Sequence, residues 1–72
     1  MKKIKKIKIK INGKFSSISE NLTLSTFLKQ VKIPLSKVAI ELNREIIDKN
    51  KISKIKLKKN DKVEIVHFIG GG

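Results

Sequence analysis

Asn60-Asp61-Lys62-Val63-Glu64-Ile65-Val66-His67-Phe68-Ile69-Gly70-Gly71-Gly72 is the stretch on which the reading of the fold turns. Alternation puts Val63 and Ile65 on one side of a strand and Val66 and Phe68 on the other. A strand over 63–69 that is apolar on both sides is either central and covered twice, or it keeps one side for a partner. Residues 59–62 make the polar turn before it, with Asp61 expected to bond local backbone N–H groups.

Working outward, 38–42 reads Val-Ala-Ile-Glu-Leu, a strand with Val38, Ile40 and Leu42 on one face. Asn43-Arg44 turns the chain, and 45–47 returns as a short strand. Residues 48–53 are polar and irregular around an apolar anchor, Ile52, and 54–58 alternates through Ile55 and Leu57. Farther upstream the period changes. Leu24, Phe27, Leu28 and Val31 fall at i, i+3, i+4 and i+7, one face of a short helix over about 24–32. Thr23 is its expected N-cap, and Pro34 disfavours helix at Ile33.

Residues 7–11 alternate Ile-Lys-Ile-Lys-Ile, a half-buried strand, and Asn12-Gly13 signals a hairpin. If Phe15 belongs inside, a two-residue loop puts it on the wrong face. The expected loop is therefore 11–13, with Gly13 left-handed and Ile9 opposite Phe15. The order is strand, strand, helix, strand, short strand, strand. One short helix can cover one face of such a sheet, so Val66 and Phe68 should be at least partly exposed.

Composition narrows the function. A chain of 72 residues without cysteine allows one domain and excludes disulfides, thiolate nucleophiles and zinc–thiolate sites. The apolar fraction of 39% is enough for a folded core. No apolar run approaches the ~20 residues of a membrane span. The lysine-rich start lacks the continuous apolar stretch of a secretory signal. One histidine, His67, has no second metal-ligating partner, and the pair Glu41 and Glu45 straddles a turn, so metal or acid–base chemistry is not expected. No glycine loop precedes the helix, which argues against a nucleotide-binding domain.

The formal net charge is +12, and residues 1–14 hold seven lysines and no acid. Nucleic acid or an anionic membrane is the first partner such a charge suggests. Against nucleic acid, one of eighteen basic residues is arginine and there is no tyrosine or tryptophan for base stacking. The lysines alternate with isoleucine, as a solvated strand face requires, so neither nucleic acid nor membrane is expected. The charge can instead steer docking onto an acidic partner, mainly through the on-rate.

The glycines after the last strand are flexible and thin. Extended, they reach about 10 Å beyond it. A carboxylate at their end, ionised at neutral pH, suits threading into another enzyme's active site. There its oxygen could attack a nucleotide's α-phosphate, giving an acyl-adenylate open to sulfur or nitrogen. The expected organisation is a domain over 1–69 and a flexible glycine tail over 70–72.

These residues resemble a known family. The strand order with a terminal Gly-Gly is similar to the ubiquitin-like β-grasp, and the pattern is closer to the ThiS/MoaD family of sulfur carriers. The resemblance rests on Ile11-Asn12-Gly13-Lys14, on Leu24 to Leu28, on the run from Val38 to Ile46, and most specifically on 60–72. It implies an α+β fold, with a mixed sheet of four to five strands and one short helix packed on one face. It further implies a cytoplasmic, non-catalytic carrier, monomeric when free, for the thiazole branch of thiamine biosynthesis.

In that reading Gly72 is adenylated by a ThiF-type enzyme using ATP and then becomes a thiocarboxylate. No cofactor is bound by the carrier itself. Sulfur comes from a donor such as a cysteine desulfurase system and passes to the thiazole synthase ThiG. Gly70 and Gly71 thread the partner's active site, while Val66, Phe68 and Ile69 dock. The Gly-Gly ending alone is shared with molybdopterin-type carriers and ubiquitin-like modifiers, so those pathways stay open. Arg44 stands where the family often has glycine, and the first lysines lie outside the family pattern.

Overall fold

The computed structural model describes residues 5–68. Strand β1 (Lys6–Ile11) and strand β2 (Lys14–Ser19) form a hairpin, followed by helix α1 (Leu24–Gln30). A 3₁₀ turn (Leu35–Lys37) leads into β3 (Val38–Leu42) and the short β4 (Glu45–Ile46). A second 3₁₀ segment (Lys49–Lys54) precedes β5 (Lys62–His67). The five strands make one sheet in the order β2-β1-β5-β3-β4. β1 and β5 run parallel and the other neighbours antiparallel. This is the mixed five-stranded sheet with one helix that the β-grasp reading requires.

The helix starts and stops for local reasons. The Thr23 hydroxyl accepts a hydrogen bond from the Thr26 N–H at 3.1 Å, satisfying one of the free donors of the first turn. At the other end Lys32 adopts φ 58°. The Lys32 N–H then donates to the Lys29 carbonyl and the Ile33 N–H to the Leu28 carbonyl, each at 3.1 Å. That pair of bonds is a Schellman motif, and it ends α1 before Pro34 can act. The helix is thus shorter than the expected 24–32. Val31 is its C-cap and is 45% exposed, rather than part of the buried stripe.

The core lies between α1 and one sheet face. Ile9, Leu24, Leu28, Val38, Ile40 and Val63 are its fully buried members. Each such side chain contributes about 1.5–3 kcal/mol by leaving water. Ile52 anchors its 3₁₀ segment in the same core, as its isolation among polar residues suggests. The alternating 54–58 stretch forms no full strand. It makes one bridge, Thr23 to Lys56, with Leu57 buried beneath.

The hairpin corrects one expectation. Asn12 and Gly13 both have positive φ, 48° and 84°, the pattern of a two-residue type I′ turn. Ile9 therefore pairs with Ser16, and Phe15 pairs with Lys10 on the outward side. The Asn12 side chain also reaches beyond the hairpin. Its Oδ1 accepts the Ile65 N–H at 2.8 Å, which ties this turn to β5. The inner side of β2 is filled by Ile18 instead of Phe15. Asn43-Arg44 repeats the turn chemistry with φ of 52° and 71°. Arg44 thus holds a left-handed conformation that glycine adopts more readily.

Candidate functional site

β5 is the element on which the candidate site is built. Its even-numbered residues turn their backbone groups toward β3, where the Phe68 N–H donates to the Lys37 carbonyl and the Asn43 N–H to the Lys62 carbonyl. Asn43 also accepts the Lys62 N–H on its side chain at 2.9 Å. The Asp61 carboxylate accepts the Lys58 N–H at 2.7 Å and the Asn43 amide at 3.1 Å. Asp61 is therefore the turn residue that its position suggests, and the start of β5 is held from two directions.

Val63 and Ile65 face the helix and are buried, while Val66 and Phe68 face outward and are 49% and 55% exposed. Val66 sits opposite Ala39 on β3. Ile46, also outward-facing, is opposite Glu41. The result is an apolar strip, Ala39, Val66 and Phe68, at the end of β5 from which the chain leaves the sheet. The Lys49 ammonium lies 5.4 Å from the centre of the Phe68 ring, within cation–π range. Exposed aliphatic and aromatic groups clustered at one strand end suit burial against another protein.

Of the six predicted site residues the structure describes two. The structure places Val66 and Phe68 together on the outer face. Ile69, Gly70, Gly71 and Gly72 lie outside the described residues. His67 is exposed on the helix side of the sheet, and no group of three metal-ligating side chains occurs among the described residues.

The sequence reading missed Phe15. It is 67% exposed, with the Lys8 and Lys10 ammonium groups 5.5 and 4.9 Å from its ring centre. Its signal was present in Asn12-Gly13, whose favoured two-residue turn fixes its side. Lys6, Lys8, Lys10 and Lys62 share this outward face, and Lys10 is directly paired with Lys62. The acids of the outer face, Glu41 and Glu64, sit opposite each other on β3 and β5. The sheet face is thus basic toward β1 and carries its carboxylates toward β3. Such a division can orient an approaching charged surface before contact.

Comparison with known proteins agrees with this architecture. The profile of the ThiS family matches residues 6–72. The sulfur carrier protein ThiS of Bacillus subtilis is 34% identical over 65 residues, which span 89% of this chain and 98% of that protein. A thiazole synthase of Paramagnetospirillum magneticum is 38% identical over 66 residues. The match covers 92% of this chain but 20% of the thiazole synthase, so the chain spans about one-fifth of that relative's length. The crystal structure of thiamine biosynthesis protein ThiS from Geobacter metallireducens superposes with a TM-score of 0.81 at 30% identity. It covers 92% of this chain and 100% of that one.

Proposed function

The chain belongs to the ThiS family, and from that membership we propose that it is a sulfur carrier for thiazole formation in thiamine biosynthesis. The Gly72 carboxylate oxygen attacks the α-phosphorus of ATP in the active site of a ThiF-type partner, and pyrophosphate leaves. The outer sulfur of a persulfide, supplied by a donor such as a cysteine desulfurase system, then attacks the acyl carbon, and a thiol reductant cleaves the S–S bond of the acyl disulfide so formed. AMP leaves and Gly72 ends as a thiocarboxylate. The chain supplies the reacting carboxyl group, and the partner supplies the catalysis. Activation that consumes ATP is compatible with a cytoplasmic carrier.

The observation that carries this reading is the family match running through Gly72, with β5 delivering the chain to Gly70-Gly71-Gly72. Glycine has no Cβ, so Gly70 and Gly71 present the narrowest backbone for a channel. Val66, Phe68 and Ile69 then form the docking surface beside it. A thiazole synthase such as ThiG is the proposed acceptor. Its support is that a segment similar to nearly the whole chain occurs within a protein named thiazole synthase.

Genetic complementation tests the pathway. Expression in a strain lacking its thiazole sulfur carrier should restore growth without thiamine. Restoration of molybdenum-cofactor synthesis instead would move the chain to another carrier pathway. The lysine face adds a second expectation. If Lys6, Lys8 and Lys10 steer docking, the second-order activation rate falls steeply as salt rises from about 0.05 to 0.5 M, while the saturated rate holds. A flat salt profile would reduce these lysines to solubility.

A further inference from the structure

β5 has one half-open edge. Its odd-numbered residues turn their backbone groups toward β1, but β1 pairs with β5 only at Lys10–Lys62 and Ile11–Val63. The Asn12 N–H donates to the Val63 carbonyl at 2.9 Å, and the Asn12 side chain accepts the Ile65 N–H at 2.8 Å. The hairpin turn then carries the chain away. The Ile65 carbonyl and the His67 N–H point to the same side, beyond the end of β1, and have no backbone partner among the described residues. An edge of this kind is a template for an added strand.

Beside that edge lies a groove of about 320 Å³, lined in part by Ile11, Phe27, Val31 and Ile33. Ile65 and His67 of β5 and Lys14 and Phe15 of β2 also line it. The Schellman end of α1 creates this groove, because it turns Val31 out of the core and leaves it partly open. Open backbone groups beside an apolar slot are the two parts needed for strand addition, with main-chain bonds for affinity and a pocket for alternate side chains.

We propose that this edge and groove bind an extended segment of the partner that activates Gly72. The occupant is a short strand with an apolar side chain in the groove and an acidic residue facing Lys14. Backbone donors and acceptors at the edge require a peptide main chain. The lining includes Lys14 and no carboxylate, which favours an acidic flank. The position adds the remaining argument. The edge lies on β5, the last strand before Gly70-Gly71-Gly72, so a segment paired at His67 lies three residues in sequence from Gly70. This inference rests on the carrier reading and assigns the groove face to the same docking event, opposite the Val66 and Phe68 face.

Amide exchange on the unsubstituted chain tests it, with a ThiF-type enzyme as the probe and ATP omitted. The His67 amide should exchange at least about 10-fold more slowly in the complex. The Phe68 amide, already bonded to the Lys37 carbonyl, is the internal reference. In parallel, Val31→Asp should raise KM for Gly72 conversion about 10-fold with kcat unchanged, since it puts a charge in the apolar groove and repels an acidic segment. A complex in which the His67 amide exchanges at its free rate overturns the proposal. That result, with Gly72 converted normally, leaves the carrier reading standing. Failure of the unsubstituted chain to be converted at all would remove the carrier reading and this proposal with it.

Discussion

Deleting Gly72 should leave a chain that folds as before and acquires no sulfur. The core is built from residues between Ile9 and Ile65, so its stability does not depend on the last residue. The deletion moves the terminal carboxylate back by one residue, about 3.5 Å. A misplacement of 1 Å at a reacting centre can cost about 10²-fold in rate, and this shift is larger. The expected loss of thiocarboxylate formation is therefore at least about 10²-fold. Glycine at the new end does not rescue it, because the chemistry at the end is unchanged and only its reach is lost. The check is a time course of sulfur incorporation by intact mass, with thermal unfolding as the control for folding. Normal incorporation by the shortened chain would mean that the sulfur is not carried at Gly72.

Val66→Asp should weaken docking strongly while leaving the fold intact. Val66 is 49% exposed on the outer face, between Glu64 and Phe68 along the strand and opposite Ala39. A carboxylate there stays in water in the free chain and costs at most about 1 kcal/mol in strand preference. In a docked complex it is buried without a partner, beside an existing carboxylate. Truncating a central contact of an interface costs about 2 kcal/mol or more, and 1.4 kcal/mol is a factor of ten. KM for activation should therefore rise about 30-fold or more, with kcat nearly unchanged. An unchanged KM would show that the partner does not cover this face.

The residues explain why some features were legible in the sequence and others were not. β3 and β5 alternate cleanly, so their inward sets Val38, Ile40, Val63 and Ile65 are buried as the pattern requires. Thr23 as cap, Asn43-Arg44 as turn, Ile52 as anchor and the exposure of Val66 and Phe68 follow from equally local chemistry. The hairpin register differs from the expected one because turn geometry is a stronger constraint than burial of Phe15. Apolar residues favour the interior only on average, and an aromatic ring under two lysine ammonium groups has an alternative outside.

The helix end was hidden for a related reason. A lysine, not a glycine, takes the left-handed position at residue 32, so the usual stop signal is absent. The groove beside β5 was illegible because it depends on where β1 ends relative to a strand more than fifty residues later. The Asn12–Ile65 hydrogen bond that sets this offset leaves no periodic trace. The net charge of +12 changes its meaning once the sheet is known. Lys6, Lys8, Lys10 and Lys62 occupy one outward face, and a face polarised in this way bears on the rate and orientation of docking.

The most direct test of the carrier account is the intact mass of the unsubstituted chain after incubation with a ThiF-type enzyme, ATP, a cysteine desulfurase system with cysteine, and a thiol reductant. The predicted result is replacement of one oxygen by sulfur, dependent on ATP and localised by fragmentation to Gly72. No mass change, or a sulfur found elsewhere in the chain, would contradict the account.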